Sequence, residues 1–191
     1  MTINECHSYM SGLDSERIIE YILAHCKGAE SFIKGSCVEM GFIKAVESFG
    51  WVAKKVDDQD RSRRYDFLIQ GGEKSLRFEV KTLSSNKTAH IGYKDSRSVV
   101  LPSGQIWVTK ARRVTESFDF LALSLTNYGG KNTDFVCVDF DSLPRLKVKN
   151  TKKFTVEDRD WIKKNYISLS IKLNSLEPLD KRFKFLSEII C

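Results

Sequence analysis

Two β-forming runs on either side of a glycine pair constrain the fold of this chain more than any other feature. The runs are Tyr65–Gln70 and Leu76–Thr82, both rich in Val, Ile, Leu and aromatic residues, and Gly71-Gly72 lies between them. This pattern predicts an antiparallel hairpin. A further run of the same kind, Trp51–Val56, precedes it, so we expect three neighbouring strands that form a meander.

The predicted hairpin carries two acids and a lysine. Glu79 and Lys81 are two residues apart on one strand and must therefore share a face of the sheet. A two-residue loop at Gly71-Gly72 would place Asp66 diagonal to Glu79. A four-residue loop over 71–74 would instead pair the two acids directly. Both registers put the carboxylates on one face, whereas a slip by one residue would separate them.

Two carboxylates that face each other repel, so a cation is expected between them. Mg²⁺ is the natural candidate, because it prefers oxygen ligands and commonly uses one or two carboxylates while keeping several waters. Lys81 would then steer or deprotonate a water, or neutralise charge on the reacting phosphate. The pattern predicts metal-assisted phosphodiester hydrolysis, with Mg²⁺ as cofactor and Mn²⁺ as a substitute. The competing interpretation is a Glu–Lys pair on the solvated face of a hairpin.

The remaining sequence alternates between helical and extended patterns. We predict helices over 15–25, 30–49, 104–114, 155–173 and 181–190, core strands over 118–125 and 135–140, a short strand-like stretch over 99–101, and a long polar loop over 84–98. The order predicts an α/β fold with a mixed central sheet flanked by helices. We expect one domain over 1–191, with helical extensions at both ends.

Charge and composition favour a soluble protein that binds a polyanion over a membrane, disulfide-rich or zinc-ribbon protein. The chain has 31 Lys and Arg against 25 Asp and Glu, a net charge of +6, and a field of that sign attracts polyanions. No apolar run reaches the roughly 18 residues of a membrane span, and the N-terminus lacks a signal pattern, so we expect a cytoplasmic protein. Five scattered cysteines without a C-x-x-C pair favour neither a disulfide framework nor a zinc ribbon.

Four segments between about Gly35 and Leu125 form a series. In chain order they read G-S-C-V-E-M-G-F, F-G-W-V-A-K-K-V, Y-D-F-L-I and F-E-V-K-T. The series resembles the PD-(D/E)XK nuclease superfamily, especially its restriction-endonuclease-like and archaeal junction-resolvase-like branches. The resemblance implies a restriction-endonuclease-like fold and a Mg²⁺-dependent DNA endonuclease, either restriction-type or structure-specific.

The resemblance also assigns roles to residues. The acid of the family's first motif falls on Asp66, and its (D/E)-x-K falls on Glu79, Val80 and Lys81. An acid from the preceding helix falls on Glu39, which would hold a second ion or a metal-bound water. The carboxylates of Asp66 and Glu79 and the backbone carbonyl of Val80 would ligate the metal. A tyrosine precedes Asp66 where the family name has proline, and this departure leaves the ligand itself unchanged.

Basic and polar residues near the motif are candidate contacts to nucleic-acid phosphates. They are Lys54, Lys55, Arg61, Arg63 and Arg64, followed by Gln105, Lys110, Arg112 and Arg113 on the helix predicted over 104–114. The resemblance alone favours DNA over RNA. It is compatible with a homodimer, since two-strand cleavage commonly uses two subunits. The alternative function is a non-catalytic nucleic-acid-binding module, or a subunit of a larger DNA-processing complex, on the same fold.

Overall fold

A computed structural model describes residues 14–56, 65–93, 95–116, 118–148, 153–173 and 182–191. The chain divides into two compact units, Met1–Cys37 and Val38–Cys191. The strands are β1 (Val52–Lys55), β2 (Phe67–Gly71), β3 (Lys74–Thr82), β4 (Thr88–His90), β5 (Arg97–Val100), β6 (Ile106–Thr109), β7 (Phe120–Ser124), β8 (Phe135–Asp139), β9 (Ser170–Lys172) and β10 (Phe183–Phe185). The α-helices are α1 (Ser15–His25), α2 (Ala29–Glu47), α3 (Val156–Asn165) and α4 (Ser187–Ile190). None of these helices is both long enough and apolar enough to span a membrane.

The two N-terminal helices confirm the sequence prediction to within two residues. The carboxylate of Asp14 caps α1 by accepting a hydrogen bond of 2.8 Å from the backbone N–H of Glu16. Helix α2 is followed by Gly50, whose φ of +75° is a conformation that favours glycine.

The central sheet has six strands in the order β1-β2-β3-β7-β8-β10. Strands β3 and β7 are parallel, and every other neighbouring pair is antiparallel. Helices α2 and α4 supply apolar side chains to one face of this sheet. The prediction of a mixed α/β sheet flanked by helices is therefore confirmed.

Aromatic packing fixes the register of the β2–β3 hairpin. Phe67 pairs directly with Phe78, and both rings lie against Phe42 of α2, with centroid separations of 5.2 and 5.3 Å. All three side chains are fully buried. A slip by one residue would remove one of these rings from the core, so the observed pairing is strongly preferred.

The observed register is the one that pairs position 66 with position 79. Gln70 pairs with Ser75 and Gly71 pairs with Lys74, which leaves a two-residue turn at 72–73. The turn is tighter than the four-residue loop that the sequence suggested for this register, because Gly72 adopts a φ of +58°. The alternative register, with the turn at Gly71-Gly72, is wrong.

The opposite face of the sheet is covered by a second apolar cluster. Leu121 and Val136 of the sheet pack there with Ala89 of β4 and Ile171 of β9. Strands β4 and β9 pair antiparallel in a small sheet of their own. The polar loop predicted over 84–98 is thus wrong in part, since it contains β4 and the first residues of β5.

The helix predicted over 104–114 is wrong, because this segment forms the second strand of the β5–β6 hairpin. Residues 106–109 are all β-branched or aromatic, and such side chains favour an extended strand. Gly104, with a φ of +82°, occupies the turn, where its N–H donates to the carbonyl of Leu101. Ser103 therefore belongs to a turn and caps no helix.

The C-terminal helices are shorter than predicted. Thr155 caps α3 through a capping box with Asp158, as expected, but α3 ends at Asn165. Burial of Ile171 and Leu173 on either side of exposed Lys172 then follows the two-residue period of a strand. The helix predicted over 181–190 is wrong in its first half, where β10 pairs with the edge of β8.

Substitution of two glycines of α2 by alanine should change the free energy of unfolding in opposite directions. A Cβ at Gly41 would overlap the backbone carbonyl of Asn132, whereas a Cβ at Gly35 would meet no atom within 4 Å. We predict that Gly41→Ala lowers the free energy of unfolding by about 1–3 kcal/mol because the helix must shift. Gly35→Ala should raise it by up to about 1 kcal/mol because alanine is the better helix former. Urea denaturation of both variants measures the difference, and equal effects would contradict the packing described.

Candidate active site

Asp66, Glu79 and Lys81 meet on one face at the end of the β2–β3 hairpin. The Nζ atom of Lys81 lies 2.7 Å from Oε1 of Glu79 and 3.3 Å from Oδ2 of Asp66. One cation thus contacts both carboxylates. The prediction that Glu79 and Lys81 share a face is confirmed, and Phe78 and Val80, beside and between them, pack with the helices on the other face.

Asp66 is positioned by the end of the strand ladder. Its backbone N–H donates to the carbonyl of Phe78 at 2.9 Å. Its Oδ2 atom accepts a hydrogen bond of 2.8 Å from the backbone N–H of Val80. Asp66 is therefore held at its backbone and at its carboxylate, and 28% of its side chain remains exposed to solvent. A ligand arriving from solvent can reach this carboxylate without disturbing the core.

Glu79 lies deeper, with only 3% of its side chain exposed. The guanidinium of Arg112, itself buried, donates to the Glu79 carboxylate. Arg112 also donates from Nε to the carbonyl of Ile91 at 2.8 Å. Its guanidinium lies 4.5 Å from the ring centroid of Tyr93 and 5.6 Å from that of Phe118. These contacts hold the arginine rigidly against Glu79.

Burial and the neighbouring charges shift the pKa values of Glu79 and Lys81, and the directions of these shifts indicate the protonation state of each group. Burial raises the pKa of the Glu79 carboxyl; Lys81 opposes that shift, Asp66 adds to it and Arg112 opposes it. Burial by itself would lower the pKa of Lys81, but Glu79 and Asp66 outweigh it, and the pKa of the ammonium is raised. Lys81 is therefore a cation at neutral pH, which favours charge neutralisation over proton abstraction as its role.

Glu39 does not join this cluster. It lies on α2 and forms an ion pair with Lys55 of β1, with Oε2 2.6 Å from Nζ. No group of three or more His, Cys, Asp or Glu residues in the described ranges could hold a metal ion. The predicted role of Glu39 with a second ion or a metal-bound water stays a prediction, as does the role of the Val80 carbonyl.

The predicted phosphate contacts other than Arg112 divide into three groups. Lys54, Lys110 and Arg113 are exposed and Gln105 is half-buried, so each remains a candidate, although the last three lie in or just after the β5–β6 hairpin. Lys55 is exposed and pairs with Glu39. The residues 61, 63 and 64 lie outside the described part of the chain.

Arg112 corrects the sequence analysis. It was expected as an exposed phosphate contact on a helix, and instead it is 5% exposed and paired with Glu79. Nothing in the run K-A-R-R distinguishes it from Arg113 in the sequence. The alternation that starts in β6 would place Arg112 on the exposed side with Val108 and Lys110, so no local pattern identifies its burial.

The two carboxylates fit the chemistry of a divalent cation. Both supply oxygen donors, and the Lys81 ammonium shows that one positively charged group can contact both at once. The protein supplies two positive charges of its own, Lys81 and Arg112, against the two carboxylates. The repulsion that the sequence predicted is thus already balanced by the chain.

Comparisons with known proteins add little to this geometry. No protein-family model matches the chain, and no curated protein matches it. Among solved structures the chain is similar to a bacterial homing endonuclease, I-Ssp6803I, with 20% sequence identity and a TM-score of 0.39. The similarity covers 64% of this chain and 81% of that one.

The Glu79–Arg112 pair gives a pH-dependent prediction. Arg112→Met leaves a buried carboxylate with one cation fewer and should lower the free energy of unfolding by about 3 kcal/mol near neutral pH. The folded-state pKa of Glu79 is above its ordinary 4.5 and rises further in the variant. Ionising Glu79 therefore costs stability, and the deficit should grow as the pH rises through the raised pKa of Glu79 in the unaltered protein, because below it the carboxyl is neutral in both proteins.

Urea denaturation at a series of pH values measures this deficit. Lys110→Met, which removes an exposed basic side chain two residues away, is the matched control and should stay within about 0.5 kcal/mol of the unaltered protein. A deficit that does not change with pH would show that Arg112 acts through packing alone.

Proposed function

We propose that this protein is a metal-dependent DNA endonuclease of the PD-(D/E)XK type, with Asp66, Glu79 and Lys81 at its catalytic centre. The observation that carries the proposal is the contact of one lysine ammonium with two carboxylates on a single sheet face. The order of acid, hairpin turn and E-V-K along the chain supports it. Mg²⁺, or Mn²⁺ in its place, is the proposed cofactor, and a restriction-endonuclease-like fold is part of the same proposal.

Electrostatics supports a phosphodiester as the substrate. The cluster of two acids, one lysine and one arginine has no net charge. A divalent ion held by Asp66 and Glu79 would make the cluster positive, neutralise charge on a phosphate oxygen and lower the pKa of a bound water. The net charge of +6 adds long-range attraction for a polyanion.

Each residue of the proposed catalytic centre then has a distinct role. Asp66, half-exposed and held by the Val80 N–H, meets the ligand first. Glu79 is fixed by Arg112 and keeps its orientation when the ligand arrives. Lys81 remains protonated because of the two acids, and it stabilises the negative charge that develops on the phosphate in the transition state. Lys54, Lys110 and Arg113 are the proposed contacts to flanking phosphates.

Loss of cleavage in isosteric variants tests the proposal. Asp66→Asn, Glu79→Gln and Lys81→Met should each lower Mg²⁺-dependent DNA cleavage by at least about 100-fold, because each removes charge from the centre. The substrates are supercoiled, linear and branched DNA, which also separates restriction-type from structure-specific cleavage. Lys74→Met, at the exposed start of β3, and Asp139→Asn, at the exposed end of β8, are matched controls that should retain activity.

Thermal melts of all five variants confirm that each is folded. Cleavage that persists in the Asp66 and Glu79 variants contradicts the proposal. DNA binding that is unaffected by chelator, without cleavage of any substrate, would support the alternative of a non-catalytic binding module.

Competition between protons and metal gives a second test. Because the pKa of Glu79 is raised, a proton displaces the metal at a pH above the ordinary glutamate value of 4.5. We predict that the Mg²⁺ affinity measured by calorimetry weakens about tenfold per pH unit below that raised pKa. Asp139→Asn should show the same dependence, whereas Glu79→Gln should lose it. An affinity that stays constant down to pH 4.5 in the unaltered protein would contradict the assignment of Glu79.

A further inference from the structure

The β5–β6 hairpin has an apolar face that is turned to solvent. Val100, Ile106 and Val108 are 68%, 65% and 62% exposed. Val100 pairs directly with Ile106, and Val108 pairs with Ser98, so the four side chains form one continuous patch. Exposed apolar patches of this kind are typical of interaction surfaces.

The other face of the same hairpin is anchored. Val99 is buried against Tyr166, and Trp107 packs edge-to-face on that tyrosine with ring centroids 5.0 Å apart. The carbonyl of Lys110 accepts a hydrogen bond from the N–H of Tyr93 at 2.7 Å. The hairpin is therefore a fixed ribbon, and its outward apolar side chains are not needed for its own core.

Charge favours a polyanion as the occupant of this surface. Two basic residues of this region are neutralised, Arg97 by Glu116 and Arg112 by Glu79, and two others remain exposed. Lys110 directly follows β6 and is exposed, and Arg113 is exposed three residues further on. A second copy of this chain, with its net charge of +6, would bring further positive charge to this surface, whereas the phosphates of a nucleic-acid duplex complement Lys110 and Arg113.

The shape of the ribbon suits one part of a duplex. The major groove of B-DNA admits a two-stranded β-ribbon, and the apolar group exposed there is the methyl group of thymine. Val108 and Arg112 are four residues apart, so their Cα atoms are at most about 14 Å apart. Because Arg112 pairs with Glu79, the patch lies within a few base pairs of that site on a duplex with about 3.4 Å per base pair.

We propose that the outward face of the β5–β6 hairpin enters the major groove of DNA and contacts thymine methyl groups a few base pairs from the cleaved phosphate. This inference rests on the proposed function, because it assigns sequence preference to the same DNA substrate. Val100, Ile106 and Val108 supply the methyl contacts. Lys110 contacts the adjacent phosphates.

A substrate without thymine methyl groups tests the proposal and needs no protein variant. Fluorescence anisotropy at fixed salt compares an A·T-rich duplex with the same duplex in which deoxyuridine replaces every thymidine. We expect the thymine duplex to bind more tightly by about fourfold for each methyl group contacted. Equal affinities for the two duplexes would overturn the proposal.

A protein variant shows where the methyl groups are read. The triple variant Val100→Ser, Ile106→Ser, Val108→Ser should bind both duplexes with the affinity that the unaltered protein has for the uracil duplex. Val52→Ser is the matched control, because Val52 is 64% exposed on β1 and belongs to neither surface. Preference for thymine that persists in the triple variant would overturn the proposal.

The same samples separate this inference from the proposed function. Methyl-dependent binding without cleavage would support the hairpin surface and contradict the nuclease assignment. Metal-dependent cleavage with equal binding of both duplexes would do the reverse. Sedimentation of the unaltered protein and the triple variant tests whether a second copy of the chain occupies this face instead. If the unaltered protein is a dimer and the triple variant is a monomer, a second copy covers the face and the proposal is overturned.

Discussion

The packing of Phe42 on the directly paired rings of Phe67 and Phe78 is the contact on which the rest of the structure depends. It decides which residues of β2 and β3 face the helix layer, and alternation then decides which face away from it. Asp66 and Glu79 share a face because the phenylalanines beside them share the other. The hydrophobic core and the charged site are thus two consequences of one strand register.

Burial of Glu79 would be costly if its charge were not compensated. The fold compensates it twice, with Lys81 from the same strand and with Arg112 from the long connection between β3 and β7. The arginine lies against two aromatic rings and donates to a backbone carbonyl, so its position does not depend on a ligand. A site that is ordered in advance loses little free energy to reorganisation when a substrate arrives.

The elements that can be predicted from the sequence are those whose structure follows from local periodicity. The N-terminal helices, the β2–β3 hairpin and the shared face of Glu79 and Lys81 all depend on residues close together in the chain. The local pattern allows two registers, because the choice between them is made by packing on Phe42, a contact distant in sequence. A serine such as Ser103 before the segment 104–114 is typical of a helix cap and favours a helix, whereas pairing with β5 and the β-branched residues of β6 favour a strand. The role of Arg112 also depends on long-range contacts that no local pattern shows.

The separation of Glu79 and Arg112 along the chain links the charge balance of the site to folding. The two residues are 33 positions apart, and they meet only when the connection between the parallel strands β3 and β7 has closed. Contacts of this range form only once the entropy of loop closure has been overcome. A chain in which this connection is unfolded therefore holds Glu79 without its arginine. The charge balance of the site is thus a property of the folded connection and is lost when that connection opens.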